Sequence, residues 1–99
     1  MFKTKRIDDF YEALFSTDMY DYGTATENAK TDDLADYKDD FEGWLNHLVD
    51  VYANEFPEEL HFEPIDKEAL LADIVEDEEF RTEMKEEFDY LIEEAENAA

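Results

Sequence analysis

The chain has 99 residues, with 31 Asp and Glu against 8 Lys and Arg and a formal charge of −23. That balance excludes direct binding to nucleic acid, which needs a basic footprint, and an anionic membrane surface would repel it. No Cys is present, so neither a disulfide framework nor a thiolate metal site is available, and a reducing cytoplasm is the expected compartment.

Such a charge often accompanies disorder. Here hydrophobic residues make up 43% of the chain and aromatics 15%, whereas disordered acidic tails are poor in aromatics. With two Gly and two Pro, the composition is not that of a linker. The expectation is one all-α domain over residues 1–99, built from three to four amphipathic helices with a highly acidic surface. No apolar run approaches the ~20 residues of a membrane span. Lys3, Lys5 and Arg6 are not followed by the apolar stretch of a secretory signal.

Ile7, Phe10, Tyr11, Leu14 and Phe15 fall on one face of a first helix. Residues 16–31 lose the period; their Ser, Thr, Gly and Asn predict a loop that carries Met19, Tyr20 and Tyr22. A loop of that length in a small domain is usually functional or partly mobile. Thr31 reads as an N-cap with Asp32 and Asp33 in the first turn. Leu34, Tyr37, Phe41, Leu45, Leu48, Tyr52 and Phe56 then predict a helix over about 32–55, stopped near Pro57. Its outer face would carry Asp32, Asp33, Asp36, Asp39, Asp40, Glu42 and Asp50. Gly43 would cost that helix roughly 1 kcal/mol relative to Ala.

Residues 57–64 read as a connector, with a short extended piece around Leu60 and Phe62. Asp66 is the next N-cap, with Ile65 and Leu70 spaced for a hydrophobic staple. Leu70, Leu71, Ile74 and Val75 form a short apolar face. The acidic run Glu76-Asp77-Glu78-Glu79 then opens a new helix capped at Asp77, with Phe80, Met84, Phe88, Leu91 and Ala95 inward. One continuous helix over 66–96 is the competing reading.

The motifs of catalysis and cofactor binding are missing. His47 and His61 are far apart in sequence and neither opens an H-E-x-x-H zinc motif. Calcium-loop spacing fails on both glycines: aligned on Gly23, the ligand positions fall on Tyr20, Tyr22 and Ala29, and aligned on Gly43, the first position is Lys38. There is no nucleophile elbow and no Gly-rich phosphate loop. Proximity among 31 carboxylates identifies no acid/base pair. The expectation is therefore a non-enzyme without metal or cofactor.

The charge itself points to function. Duplex DNA carries one charge per roughly 1.7 Å, so the net −23 corresponds to about 40 Å of duplex. A domain of this length is roughly 35 Å across. Helical carboxylates at three- and four-residue steps lie about 5–6 Å apart, near the spacing of phosphates along a strand. Asp32, Asp33, Asp36, Asp39 and Asp40 supply one candidate row; Glu76, Asp77, Glu79, Glu83, Glu86, Glu87 and Glu94 supply another. Tyr20, Tyr22, Trp44 and Tyr90 are candidate interface aromatics, Tyr and Trp being typical hot-spot residues. Solubility needs a charge of only about 2–8 in magnitude, and the repulsion destabilises the fold. These features predict an inhibitor that imitates DNA and occupies the groove of a basic DNA- or RNA-binding protein.

The stretches Thr31-Asp32-Asp33-Leu34, Leu60-His61-Phe62-Glu63 and Tyr90-Leu91-Ile92-Glu93-Glu94-Ala95-Glu96 resemble the small acidic phage proteins that mimic DNA, most closely those of the overcome-classical-restriction type. The resemblance covers about two thirds of the chain and lies mainly in pattern and composition. It implies a homodimer that fills the DNA groove of a restriction–modification enzyme in the host cytoplasm. Anti-CRISPR proteins use the same strategy on unrelated folds, which makes a CRISPR effector a second target class. Three other readings compete. An acidic interaction module (an antitoxin, sigma-factor antagonist or chaperone) would bind a basic partner without competing with nucleic acid. A salt-adapted protein would fold only at high ionic strength. An enzyme would show a pocket with a strongly shifted carboxylate.

Overall fold

The apolar period at Ile7, Phe10 and Leu14 becomes one buried stripe in the computed structural model, which describes residues 2–15, 28–60 and 64–98. The first helix, α1, spans Lys5–Phe15. Thr4 caps it by accepting the Ile7 N–H on its hydroxyl oxygen at 3.3 Å, which satisfies one of the orphan donors of a helix start. Tyr11 and Phe15 flank the stripe and are half-buried.

The helix expected from residue 32 does not begin there. Thr31 and Asp32 donate their N–H groups to the Asn28 carbonyl, and Asp33 adopts a left-handed conformation with φ 54°. A short 3-10 helix, Leu34–Tyr37, follows and buries Leu34. The long helix α2 spans Phe41–Leu60 and starts at Asp40, whose carboxylate accepts the Gly43 N–H at 2.9 Å. A regular helix from 32 would stack like charges on successive turns. Asp side chains instead compete for backbone N–H groups and favour turns and caps. Pro57 does not end α2, which runs to Leu60; a proline deletes one N–H and strains the preceding turn, and the rest of the ladder can continue. The extended piece expected around Leu60 is thus replaced by helix at Leu60, and residues 61–63 lie outside the described residues, as does the predicted loop over 16–27.

Helix α3 spans Lys67–Glu76. Asp66 caps it by accepting the Ala69 N–H at 3.0 Å; Ile65 packs against the core, and Leu70 is a buried member of that core. Asp77 then adopts an extended conformation, and α4 runs over Glu78–Ala98. The break at Asp77 is real, and the continuous 66–96 helix is not formed. Its cause is a buried carboxylate: Asp77 is 2% exposed, accepts the Phe80 N–H at 3.0 Å and takes the Lys3 backbone N–H at 2.8 Å.

Among the described residues the fold is all-helical: four α-helices and one 3-10 turn, with no strand. Short α3 packs against each of the other three helices. Phe10 of α1, Trp44 and Leu48 of α2, Leu70 of α3 and Phe80 and Met84 of α4 are fully buried together. Phe10 lies 5.9 Å from Phe80 and 5.0 Å from Tyr52, ring to ring. Two carboxylates one helical turn apart, Asp73 and Asp77, fasten the chain entering α1. Asp73 takes the Thr4 hydroxyl at 3.0 Å and the Arg6 guanidinium at 2.8 Å, while Asp77 takes Lys3. The principal dimensions are 39 × 30 × 22 Å, and no helix among the described residues is long and apolar enough to cross a membrane.

Candidate functional site

Burial drives apolar side chains inward and leaves the acids outside. Among the residues whose side chains are described, which leaves out 56–60, every carboxylate except Asp77 is at least partly exposed. The cations do little to offset them. Lys5 pairs with Asp9 at 3.0 Å, Arg6 with Asp73 at 2.8 Å, Lys30 with Glu87 at 3.1 Å, Lys38 with Glu96 at 2.9 Å and Lys85 with Asp89 at 2.8 Å. Lys67 lies against Asp50 and Arg81 against Glu42. Seven of the eight cations are thus each spent on one carboxylate, Lys3 being the exception, and no contiguous basic patch is left among the described residues. The exposed pairs among these contribute little to stability; Lys30–Glu87 is the more buried one. Hydrogen bonds donated to Asp9 and Glu96 hold the Lys5 and Lys38 ammonium groups above their ordinary pKa, and the one donated to Asp73 does the same for Arg6. In return the Arg6 hydrogen bond holds the Asp73 carboxyl below its ordinary pKa, against the opposing effect of burial and with help from Thr4.

The two predicted carboxylate rows differ in the folded chain. Glu79, Glu83, Glu86 and Glu94 are exposed on one face of α4 without an ion-pair partner among the described residues. Tyr90, 57% exposed, stands one turn from Glu86 and one from Glu94. Glu87 borders the same face but is half-buried and held by Lys30. Glu76 is exposed where α3 ends. Asp77 is corrected: its carboxylate is buried and saturated by backbone donors, so it shapes the helix break rather than meeting a partner.

Asp32, Asp33, Asp36 and Asp39 are exposed and without ion pairs among the described residues, but they ride on turns and the 3-10 segment. They do not form the evenly spaced helical row expected of them, because only Asp36 lies in the 3-10 segment and the other three sit on the turns to either side of it. Asp40 is exposed and occupied as the cap of α2. Trp44 is also corrected: it is fully buried, donates its indole N–H to the Lys30 carbonyl at 3.0 Å and packs on Phe88 with ring centroids 5.0 Å apart. Its place on the a/d-like stripe of α2 is what buries it. Tyr20 and Tyr22 lie outside the described residues.

A cleft between α1 and α4 was not foreseen. It is an open cleft of about 710 Å³, lined by the aromatic residues Phe2, Tyr11 and Phe15 and by the acids Asp8, Glu12, Glu79 and Glu83. It continues past Phe15 toward Glu86 and Glu87. Phe2 is placed by a contact that no periodicity reveals: its N–H donates to Asp8 Oδ1 at 3.0 Å, which sets its ring 5.1 Å from Tyr11 and 5.3 Å from Phe80. The faint sequence signal was that Tyr11 and Phe15 sit at the edge of the α1 stripe beside Glu12. Burial pushes the Tyr11 hydroxyl pKa up, with the charge and hydrogen bond of Glu83 and the charge of Glu87 adding to it.

Among the described residues no group of three or more His, Asp and Glu is placed to hold a metal ion. Compared with known protein families, curated proteins and solved structures, the chain matches none.

Proposed function

We propose that the protein is a decoy for nucleic acid, acting by binding rather than by catalysis. It occupies the groove of a basic DNA- or RNA-binding protein and so keeps the true ligand out. The observation that carries this reading is a match of charge to length. The longest dimension is 39 Å, and about 23 phosphate charges lie along that length of duplex at one per roughly 1.7 Å; the chain carries −23. Fast, steered encounter follows from such a field. Base-specific contacts are unnecessary, because phosphate contacts dominate nucleic-acid affinity. The likeness to antirestriction proteins directs the proposal to a host-defence nuclease, either a restriction–modification enzyme or a CRISPR effector, met in the host cytoplasm.

A second reading, an acidic interaction module that does not imitate nucleic acid, is favoured by Tyr90. An exposed aromatic inside an acidic row suits a specific protein contact. Capture of partners from bacterial lysate, with the captured protein challenged by duplex DNA, separates the two. A nucleic-acid-handling partner released by DNA and by added salt is the expected result. Retention in excess DNA would sink the decoy reading and leave the interaction module.

A further inference from the structure

We infer that the cleft between α1 and α4 is a receptor for an arginine side chain of the partner protein. The inference rests on the decoy reading only for the partner's basic character; the cleft's chemistry stands apart from it. An arginine guanidinium is planar, stacks on aromatic faces and takes carboxylates two oxygens at a time. The cleft offers both kinds of contact: the aromatic residues Phe2, Tyr11 and Phe15, and the acids Glu12, Glu79 and Glu83. No cation of this chain pairs with those three carboxylates among the described residues. Charge complementarity therefore selects a cation as the occupant.

The far corner of the cleft already shows this chemistry at work. There the Lys30 ammonium sits 3.9 Å from the centroid of the Phe15 ring and 3.1 Å from Glu87. One aromatic ring and one carboxylate suffice to hold an ammonium, and the cleft repeats that pairing with more rings and more carboxylates. Tyr11 ties the two elements together, since its ring lies 4.5 Å from that of Phe15 in a tilted contact and it lines the cleft together with Glu83. The α4 wall from Glu79 to Glu87 is about 12 Å long at 1.5 Å per residue, which leaves room beside a seated arginine side chain for the partner residues next to it. A partner helix or strand lying along it would place arginine over the rings and neighbouring basic residues against Glu86.

The test uses the full chain and two peptides of equal charge, hexa-arginine and hexa-lysine, titrated at about physiological ionic strength, where long-range attraction is screened. Amide chemical shifts of the labelled protein locate the binding. Arginine peptide should bind several-fold more tightly than lysine peptide, with shifts concentrated at Phe2, Tyr11, Phe15, Glu79 and Glu83. The Glu79→Gln/Glu83→Gln double variant should lose about tenfold in affinity, while Asp36→Asn/Asp39→Asn, which removes the same charge elsewhere, should lose about twofold or less. Tyr11→Leu, with its fold checked by Trp44 fluorescence, should erase the preference for arginine. Equal affinity for the two peptides, shifts spread over the whole acidic surface, or equal losses in the two double variants would each overturn the proposal. Because no nucleic-acid-binding protein takes part, a failed cleft and a failed decoy are distinguishable outcomes.

Discussion

Asp40 folds its carboxylate back over Gly43: Oδ1 accepts the Gly43 N–H at 2.9 Å, and Oδ2 lies where a Cβ on residue 43 would have to be. The glycine that weakens α2 by propensity is thus the residue that leaves room for its cap. Gly43→Ala should change stability by less than about 0.5 kcal/mol, because a propensity gain of about 1 kcal/mol offsets a cap worth about 1 kcal/mol. In an Asp40→Ala background the same substitution should stabilise by about 1 kcal/mol. Urea melts of the four proteins check this, and strict additivity would show that the carboxylate simply moves aside.

Asp77 has the opposite character, a charge the fold has enclosed. Its removal in Asp77→Ala leaves the Phe80 and Lys3 N–H groups without their acceptor. The expected loss is about 2–4 kcal/mol, combining a helix cap with hydrogen bonds to a charged group. Asp77→Asn should lose clearly less, since Asn also caps helices. Chemical denaturation followed by Trp44 fluorescence would measure both.

The clasp at Asp73 should be visible in the pH dependence of stability. Its folded-state pKa is depressed by Arg6, so the folded form binds its proton less readily than the unfolded form. Stability from this group is therefore present above the ordinary carboxylate pKa and is lost as pH falls through the lower folded value. The Tm difference between the native chain and Asp73→Asn should be largest near neutral pH and should vanish under acid conditions. A difference that stays constant down to low pH would disprove the linkage.

The uncompensated surface predicts that salt stabilises. Screening weakens the repulsion among exposed carboxylates, so Tm should rise with added sodium chloride. The triple change of Asp36, Asp39 and Asp40 to Asn should leave stability unchanged or raise it, because Asn at 40 keeps the cap, while weakening binding to a basic partner. A salt-independent Tm would mean that the exposed charges do not feel one another.

Much of this architecture was legible in one dimension. Periodicity alone placed α1, the buried face of α2, the Asp66 cap and the helix beginning after Asp77, because each is a local matter of one side chain facing one way or one oxygen reaching an N–H three residues on. The same periods made the described residues all-helical, and composition alone made the surface anionic. Local rules erred where local preferences conflict. Asp32 to Asp40 could serve as helix residues or as turn and cap residues, and like-charge crowding with competition for backbone N–H groups decided for turns.

Only the tertiary structure decided what long-range contacts govern. The three basic residues near the start of the chain look in sequence like a separate charge cluster, yet the Lys3 backbone and the Arg6 side chain are fastened more than sixty residues away on Asp77 and Asp73. Trp44 reads as a candidate for the surface until Lys30 and Phe88 close over it. The aromatic cleft exists because Asp8 draws Phe2 back over Tyr11 and because α4 crosses beside α1. Charge and period are properties of the chain and add residue by residue; a cleft is a property of two helices at once, and its shape is set by how the core packs between them.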